Sequence, residues 1–415
     1  MNRALLAAAL LLAPLSAPGP VSAETLGEAI ADAWRNNPTL GEARARQQAL
    51  EQSPEKARAA GRLTAGVDAT GGYDHVNYGK GGGGTVTASL SVWMGGRVSS
   101  AVRVAQGNVA AGAEGLRDSE AAVLEAVVGA YADVLYSQQA VEVAGADIGL
   151  LDAQVSEARA RFDRGQATRT DVAQLQAQKA SAEATLAQAG ATLAGVVASY
   201  RALVGHEPGV LVAALPVPGA LPATPQEARA QAQRANPLVR QQQRTAQADA
   251  AGIDQQKAER LPTLTLGGSY GYEGGTVQPG VTIAAFGGVT LHVPLLTGGL
   301  VRAKVREAEA IHRADLFATA AAQREAERAA DTAWANLAAA RSRILANQAR
   351  VDAADLALKG VRAEYGFSLR STLDILIADE ALRAAQLALA QSRADVLIAQ
   401  AALLRAVGRL YDGSF

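Results

Sequence analysis

Arg161-Phe-Asp-Arg-Gly-Gln-Ala-Thr-Arg-Thr-Asp-Val172 returns 203 positions later as Glu364-Tyr-Gly-Phe-Ser-Leu-Arg-Ser-Thr-Leu-Asp-Ile375. Phe162 falls on Tyr365, Asp171 on Asp374 and Val172 on Ile375. Each copy ends one long helical pattern and starts another, so each reads as a tight turn between antiparallel helices. The first turn is fed by Val127, Val134, Val141, Ile148, Val155 and Phe162, an apolar residue every seventh position. The second is fed by Leu337, Ile344, Val351, Leu358 and Tyr365, the same ridge displaced. An apolar period of seven held over several heptads is a coiled-coil signal. Beyond the first turn Ala182, Leu186, Ala189, Leu193, Val196 and Tyr200 continue at alternating spacing. Leu389, Val396 and Leu403 repeat Leu186, Leu193 and Tyr200 beyond the second, so the whole unit is duplicated.

Working outward, Gly95-Gly96-Arg97 and Gly298-Gly299-Leu300 mark where each long helix begins. From there to each turn, some 65–70 residues give about 100 Å of helix, far beyond a globular norm. Before each Gly pair lies a pair of alternating segments. Leu63, Ala65, Val67 and Ala69 alternate with polar or small residues, and so do Val86, Ala88, Leu90 and Val92, with Gly79–Gly84 read as the turn between them. The second pair carries Leu264, Leu266, Tyr270 and Tyr272, a loop through Pro279, then Val289, Leu291 and Val293. Segments of about ten residues with period two suit transmembrane barrel strands, and one-sided soluble hairpins alternate in the same way. If the strands span a membrane, four per chain cannot close a barrel; two chains would supply eight strands and three would supply twelve, enough for a lumen.

Each repeat opens on a short helix. Thr25 with Glu28 and Thr224 with Glu227 fit a capping box, and Asn37-Pro38 and Asn236-Pro237 then break each helix. A further helix is expected to run from each break to Arg62 or Arg260. The expected organisation is a secretory leader over 1–23, with Arg3, the apolar Ala4–Leu12 and Val21-Ser22-Ala23 as cleavage site. Repeat one follows over 24–204, with a hairpin near 62–93 and a helical turn near 163–170. A connector over 205–224 carries Pro208, Pro216, Pro218 and Pro222. Repeat two runs over 225–415, with a hairpin near 261–294 and a turn near 366–373, and no room for another domain.

Composition narrows the functions. There are 39 basic and 40 acidic residues, so no nucleic-acid surface is indicated. Cysteine is absent, which removes thiol nucleophiles, thiolate metal sites and disulfides. His75, His206, His292 and His312 have no metal-ligand spacing, and Gly79-Lys80-Gly81 lacks the Ser or Thr of a phosphate-binding loop. No enzyme, cofactor or metal site is expected.

The leader, the doubled helix–hairpin–long-helix unit, both Asn-Pro helices and both turns together resemble the TolC-like outer-membrane efflux and export proteins. The resemblance covers essentially the whole mature chain. It implies a mainly α protein with a small β part: an α-helical coiled-coil barrel, and four strands per protomer contributing to a 12-stranded outer-membrane β-barrel in a homotrimer. The implied partners are outer-membrane lipid, a periplasmic adaptor (membrane fusion protein), and an inner-membrane pump or the ABC exporter of type I secretion. The resemblance also implies a periplasmic gate. Tyr365 and Arg370 would bond to Thr170 and Asp171, and Asp374 would form a ring around the axis. Ile377 stands where the family pattern has a second ring Asp, so a single carboxylate ring is implied. The other expectation kept open is a coiled-coil scaffold of the periplasm without a pore.

Overall fold

The computed structural model describes residues 23–74, 79–212, 221–275, 281–367 and 369–410. Residues 1–22 of the expected leader, His75, Pro216, Pro218, Pro279 and Ser368 lie outside them. The first half runs α1 (Leu26–Asn36), α2 (Pro38–Leu50), α3 (Ser53–Ala59), β1 (Thr64–Asp74), β2 (Gly79–Trp93), α4 (Arg97–Asp163) and α5 (Arg169–Val204). The second runs α6 (Pro225–Ala235), α7 (Pro237–Ala258), β3 (Thr263–Gly275), β4 (Val281–His292), α8 (Leu300–Gly366) and α9 (Thr372–Ala406). α4 and α8 are each 67 residues long, so each extends about 100 Å.

The strands form one antiparallel sheet in the order β1-β2-β3-β4, joined between the halves by β2 and β3. The register settles which residues share a face. Val67 lies opposite Val86, Val86 opposite Tyr270, Leu90 opposite Leu266, and Leu266 opposite Val289. The apolar sets of all four strands therefore fall on one side, and Thr64, Thr85, Thr87, Ser89, Thr265, Ser269 and Thr290 on the other. Val67, Leu266, Tyr270, Val289 and Leu291 are all exposed, so the apolar face is left uncovered within the protomer. β1 and β4 are free edges. A bulge between Ser91 and Trp93 sets Trp93 opposite Leu264, at the helix end of the sheet.

Three local expectations are corrected. Gly79–Gly84 is no turn; it is the first part of β2, paired with β1 and, from Gly81 on, with β3. The glycines make room: a Cβ on Gly83 would sit 2.7 Å from the Tyr272 carbonyl oxygen, and one on Gly84 would sit 3.1 Å from the Tyr272 ring. The helix after Asn37 is broken into α2 and α3, because Pro54 has no N–H and its ring opposes the Leu50 carbonyl; Ser53 Oγ takes that carbonyl at 2.6 Å. The capping box is complete at Thr25 and Glu28. At Thr224, where φ is −132° instead of −90°, the Glu227 carboxylate accepts from Ala223 N–H, one residue early.

Strand passes to helix through Gly95-Gly96 (φ 58° and 81°) and Gly298-Gly299 (φ 60° and 85°), left-handed backbone that only glycine adopts freely. The apolar ridges are buried or half-buried as far as Val155 and Tyr365, while Phe162 is exposed. Two larger cores lie where short helices meet long ones. One gathers Ile30, Leu40, Leu124, Val127, Tyr131, Tyr200 and Leu404; the other gathers Ala228, Val239, Ala330, Leu337 and Leu403. A small third core, Val155, Ala158 and Leu175, sits near the turns. Glu24 is pinned beside the first core. Tyr131 Oη donates to its carbonyl at 3.1 Å, and its carboxylate accepts from Tyr200 Oη and Gly209 N–H.

The two Asn-Pro asparagines act alike. Asn37 Oδ1 accepts from Thr39 N–H at 2.9 Å and caps α2, while its Nδ2 donates to Leu203 O at 2.9 Å. Asn236 caps α7 and donates to Ala406 O at 3.0 Å. Leu203 and Ala406 are equivalent positions at the ends of α5 and α9, where carbonyls lack helical partners. The amide accepts through its oxygen and donates through its NH2, which an ionised carboxylate of the same shape cannot do. Asn236→Asp should keep the cap, strand the Ala406 carbonyl and cost about 1–3 kcal/mol. Thermal unfolding checks this; a midpoint equal to wild type removes the tie from this account.

Candidate gate at the two helical turns

The turns are built from the same parts. α4 ends with Gly165 at φ 70°, and Gln166 N–H reaches back to Arg161 O at 2.8 Å. α8 ends with Leu369 N–H bonded to Glu364 O at 3.0 Å. Each next helix opens on a capping box, Thr168 with Asp171 and Ser371 with Asp374. The backbone N–H of Thr168, then its hydroxyl, hold the Asp171 carboxyl below its usual range, with Arg161 adding a weaker pull. Ser371 does the same for Asp374, with Arg370 beside it.

Between the turns lies a cleft of about 290 Å³ lined by Arg161, Asp171, Tyr365, Arg370, Ser371 and Thr372, among others. Asp171, Tyr365 and Arg370 thus share one cleft, whereas Thr170 is exposed and neither it nor Asp374 lines it. The bonds within the protomer run to other partners. Tyr365 Oη accepts from the Arg161 guanidinium, whose Cζ lies 5.6 Å from the ring centroid, and from Thr372 Oγ1 at 3.5 Å. Arg370 Nε donates to Glu364 at 2.7 Å, and both side chains are about half exposed. A pair that open to water is worth little and is easily exchanged.

Sequence reasoning passed over Arg161 and Glu364, although both stand inside the duplicated stretch. They occupy the same position in the two copies with opposite charge, which is the signal that could have found them. It also passed over the bridges that tie α9 to α4 higher up. Arg383 faces Asp147 of α4 and bonds Asp379 at 3.0 Å, with Arg362 of α8 joining Asp379 at 3.5 Å. Burial pushes the Asp379 carboxyl up, against the pull of Arg362. Nearer the sheet, Arg405 reaches Glu125 at 2.7 Å and Asp118 at 3.5 Å. No group of acidic, His or Cys side chains set to hold a metal occurs among the described residues.

The turn caps carry a pH dependence of known sign. A carboxyl whose pKa is lowered on folding stabilises above its unfolded value, here 3.8, and that contribution is lost as pH falls through the folded value. Amide exchange at 371–375, corrected for intrinsic rate, should therefore quicken on going from pH 5 to pH 3. Asp374→Asn should show no such change; equal acid sensitivity in both proteins sinks the cap as its cause.

A family model described as outer membrane efflux protein matches residues 29–206 and 228–409. Outer membrane efflux protein BepC of Brucella suis is 32% identical over 419 residues, covering 98% of this chain and 90% of that protein. Outer membrane protein TolC of Vibrio cholerae is 27% identical over 301 residues, covering 69% and 67%. Among solved structures, the CmeC outer membrane channel of Campylobacter jejuni superposes with a TM-score of 0.79 at 14% identity, over 94% of this chain and 87% of that one.

Proposed function

The chain belongs to the outer membrane efflux protein family, and from that premise we propose that three copies close one duct through the outer membrane and down across the periplasm. The protein is an outer-membrane efflux component with a long helical extension, in a family of passive channels. The observation that carries the trimeric reading is the sheet: one uncovered apolar face, one polar face and two open edges on four strands. In lipid every backbone N–H and C=O must be paired, so β1 of one copy meets β4 of the next and twelve strands close. The 12 residues of β4, about 40 Å long and tilted by about 40°, rise roughly 30 Å, a bilayer core.

The helices then continue the wall, and their turns lie farthest from the membrane. Tyr365 and Arg370, with Thr170 and Asp171 beside the first turn, latch neighbouring coils, and Asp374 narrows the axis. Arg370 exchanges Glu364 for Asp171 when the cleft closes between coils, which the openness of its present bond permits. A periplasmic adaptor and an inner-membrane pump or exporter release the latch and deliver the cargo. The duct supplies no energy of its own.

Purified protein should run as a heat-resistant trimer and conduct ions across planar bilayers. Tyr365→Phe combined with Arg370→Ser should raise single-channel conductance several-fold. A monomer without conductance defeats the duct, and a conducting trimer whose double variant is unchanged defeats the latch alone.

A further inference from the structure

The polar face of the sheet has one exception. Along β4, Ile283, Val289 and Leu291 fall on the apolar side and Thr282, Ala284, Phe286, Gly288, Thr290 and His292 on the other. Phe286 is the one large apolar side chain on that side among the described residues, and it is 70% exposed. At its own level the register places Ser269, Thr87 and Gly66, and beside it along the strand stand Ala284 and Gly288. The ring leans over Gly288, where a Cβ would come within 3.0 Å of its Cζ. Everything around it is small, so the ring stands alone above its surroundings. It is packed into no core, and folding does not explain it.

We propose that Phe286 from each copy forms an apolar collar halfway through the barrel, a point where aromatic and amphiphilic cargo is held on its way out. The proposal rests on the trimeric duct described above. Twelve strands about 4.8 Å apart and tilted by about 40° give a backbone diameter of about 24 Å. A Phe side chain reaches about 6 Å from its Cα, so three rings leave roughly 12 Å between them. An isolated exposed Phe on an open surface means nothing. Three facing one another across a water-filled bore offer ring faces to a passing aromatic cation from every side. Small inorganic ions pass without touching them.

The chain has no cysteine, so single-cysteine variants report without background. In bilayers, a water-soluble cationic methanethiosulfonate should lower the conductance of Phe286→Cys in up to three steps and leave Ile283→Cys, on the apolar face, unchanged. Ethidium should block the wild-type channel with dwell times about fivefold longer than in Phe286→Ser, with Phe286→Tyr close to wild type. If wild type conducts but Phe286→Cys is insensitive, or ethidium dwells equally in wild type and Phe286→Ser, the collar is wrong and the duct stands. If wild type does not conduct, both fall.

Discussion

A four-stranded sheet with an uncovered apolar face and two unpaired edges cannot be at rest in water. The edges present rows of N–H and C=O groups, and the face presents Val67, Leu266, Tyr270 and Leu291. Lipid satisfies the face and makes the edges intolerable, because no water reaches them there. That constraint orders the rest of the chain. It explains why the two halves meet at β2 and β3, why Tyr272 is bedded on Gly84, and why the bulge brings Trp93 round to the side of Leu264.

The helical part answers a different demand. A coil about 100 Å long has little core of its own per turn, so the two repeats must be fixed to each other at intervals. Midway along the long helices this is done by apolar packing around Tyr131, Tyr200 and Leu404, reinforced by the Asn37 and Asn236 amides. Arg405 with Glu125 adds an ion pair at that same level, and farther along charge replaces packing, with Arg383 between Asp147 and Asp379. A partly buried arginine shared between carboxylates holds register across helices where few side chains are large. α9 is apolar enough over part of its length to cross a membrane, but half of that window is buried against its neighbours, as its role at the join requires.

Much of this could be read in the residues. The 203-residue offset carries the ridges, the turns and the paired glycines, since each depends on a local period or a backbone angle that a side chain dictates. What could not be read depends on pairing in three dimensions. Gly79–Gly84 looks like a turn until the Tyr272 ring that needs the space is placed beside it. Phe162 continues the heptads yet is exposed, because the ridge loses its partner where α4 ends. Asp171 and Asp374 fit an acidic first helical turn, but their partners, Thr168 and Ser371, became evident only with the cap geometry. At the two turns the sequence marked Tyr365, Arg370 and Asp171 while leaving out Arg161 and Glu364, whose partners are set by how the turns lie side by side.

The gradient along the coils bears on how such a duct opens. Toward the sheet the cores are large and their polar ties buried; at the turns the core shrinks to Val155, Ala158 and Leu175, and Phe367, Leu369, Leu373 and Ile377 are exposed. Local opening costs least where few apolar contacts must part and where the bonds are already wet. Arg370 and Glu364 are such a bond, while Arg383 is not. Movement that begins at the turns would therefore stop near Asp147 and Asp379, so the lower coil can splay while the upper coil and barrel keep their shape. Under the proposed latch, a partner touching the tip would open a tube hinged this way without any change in the membrane.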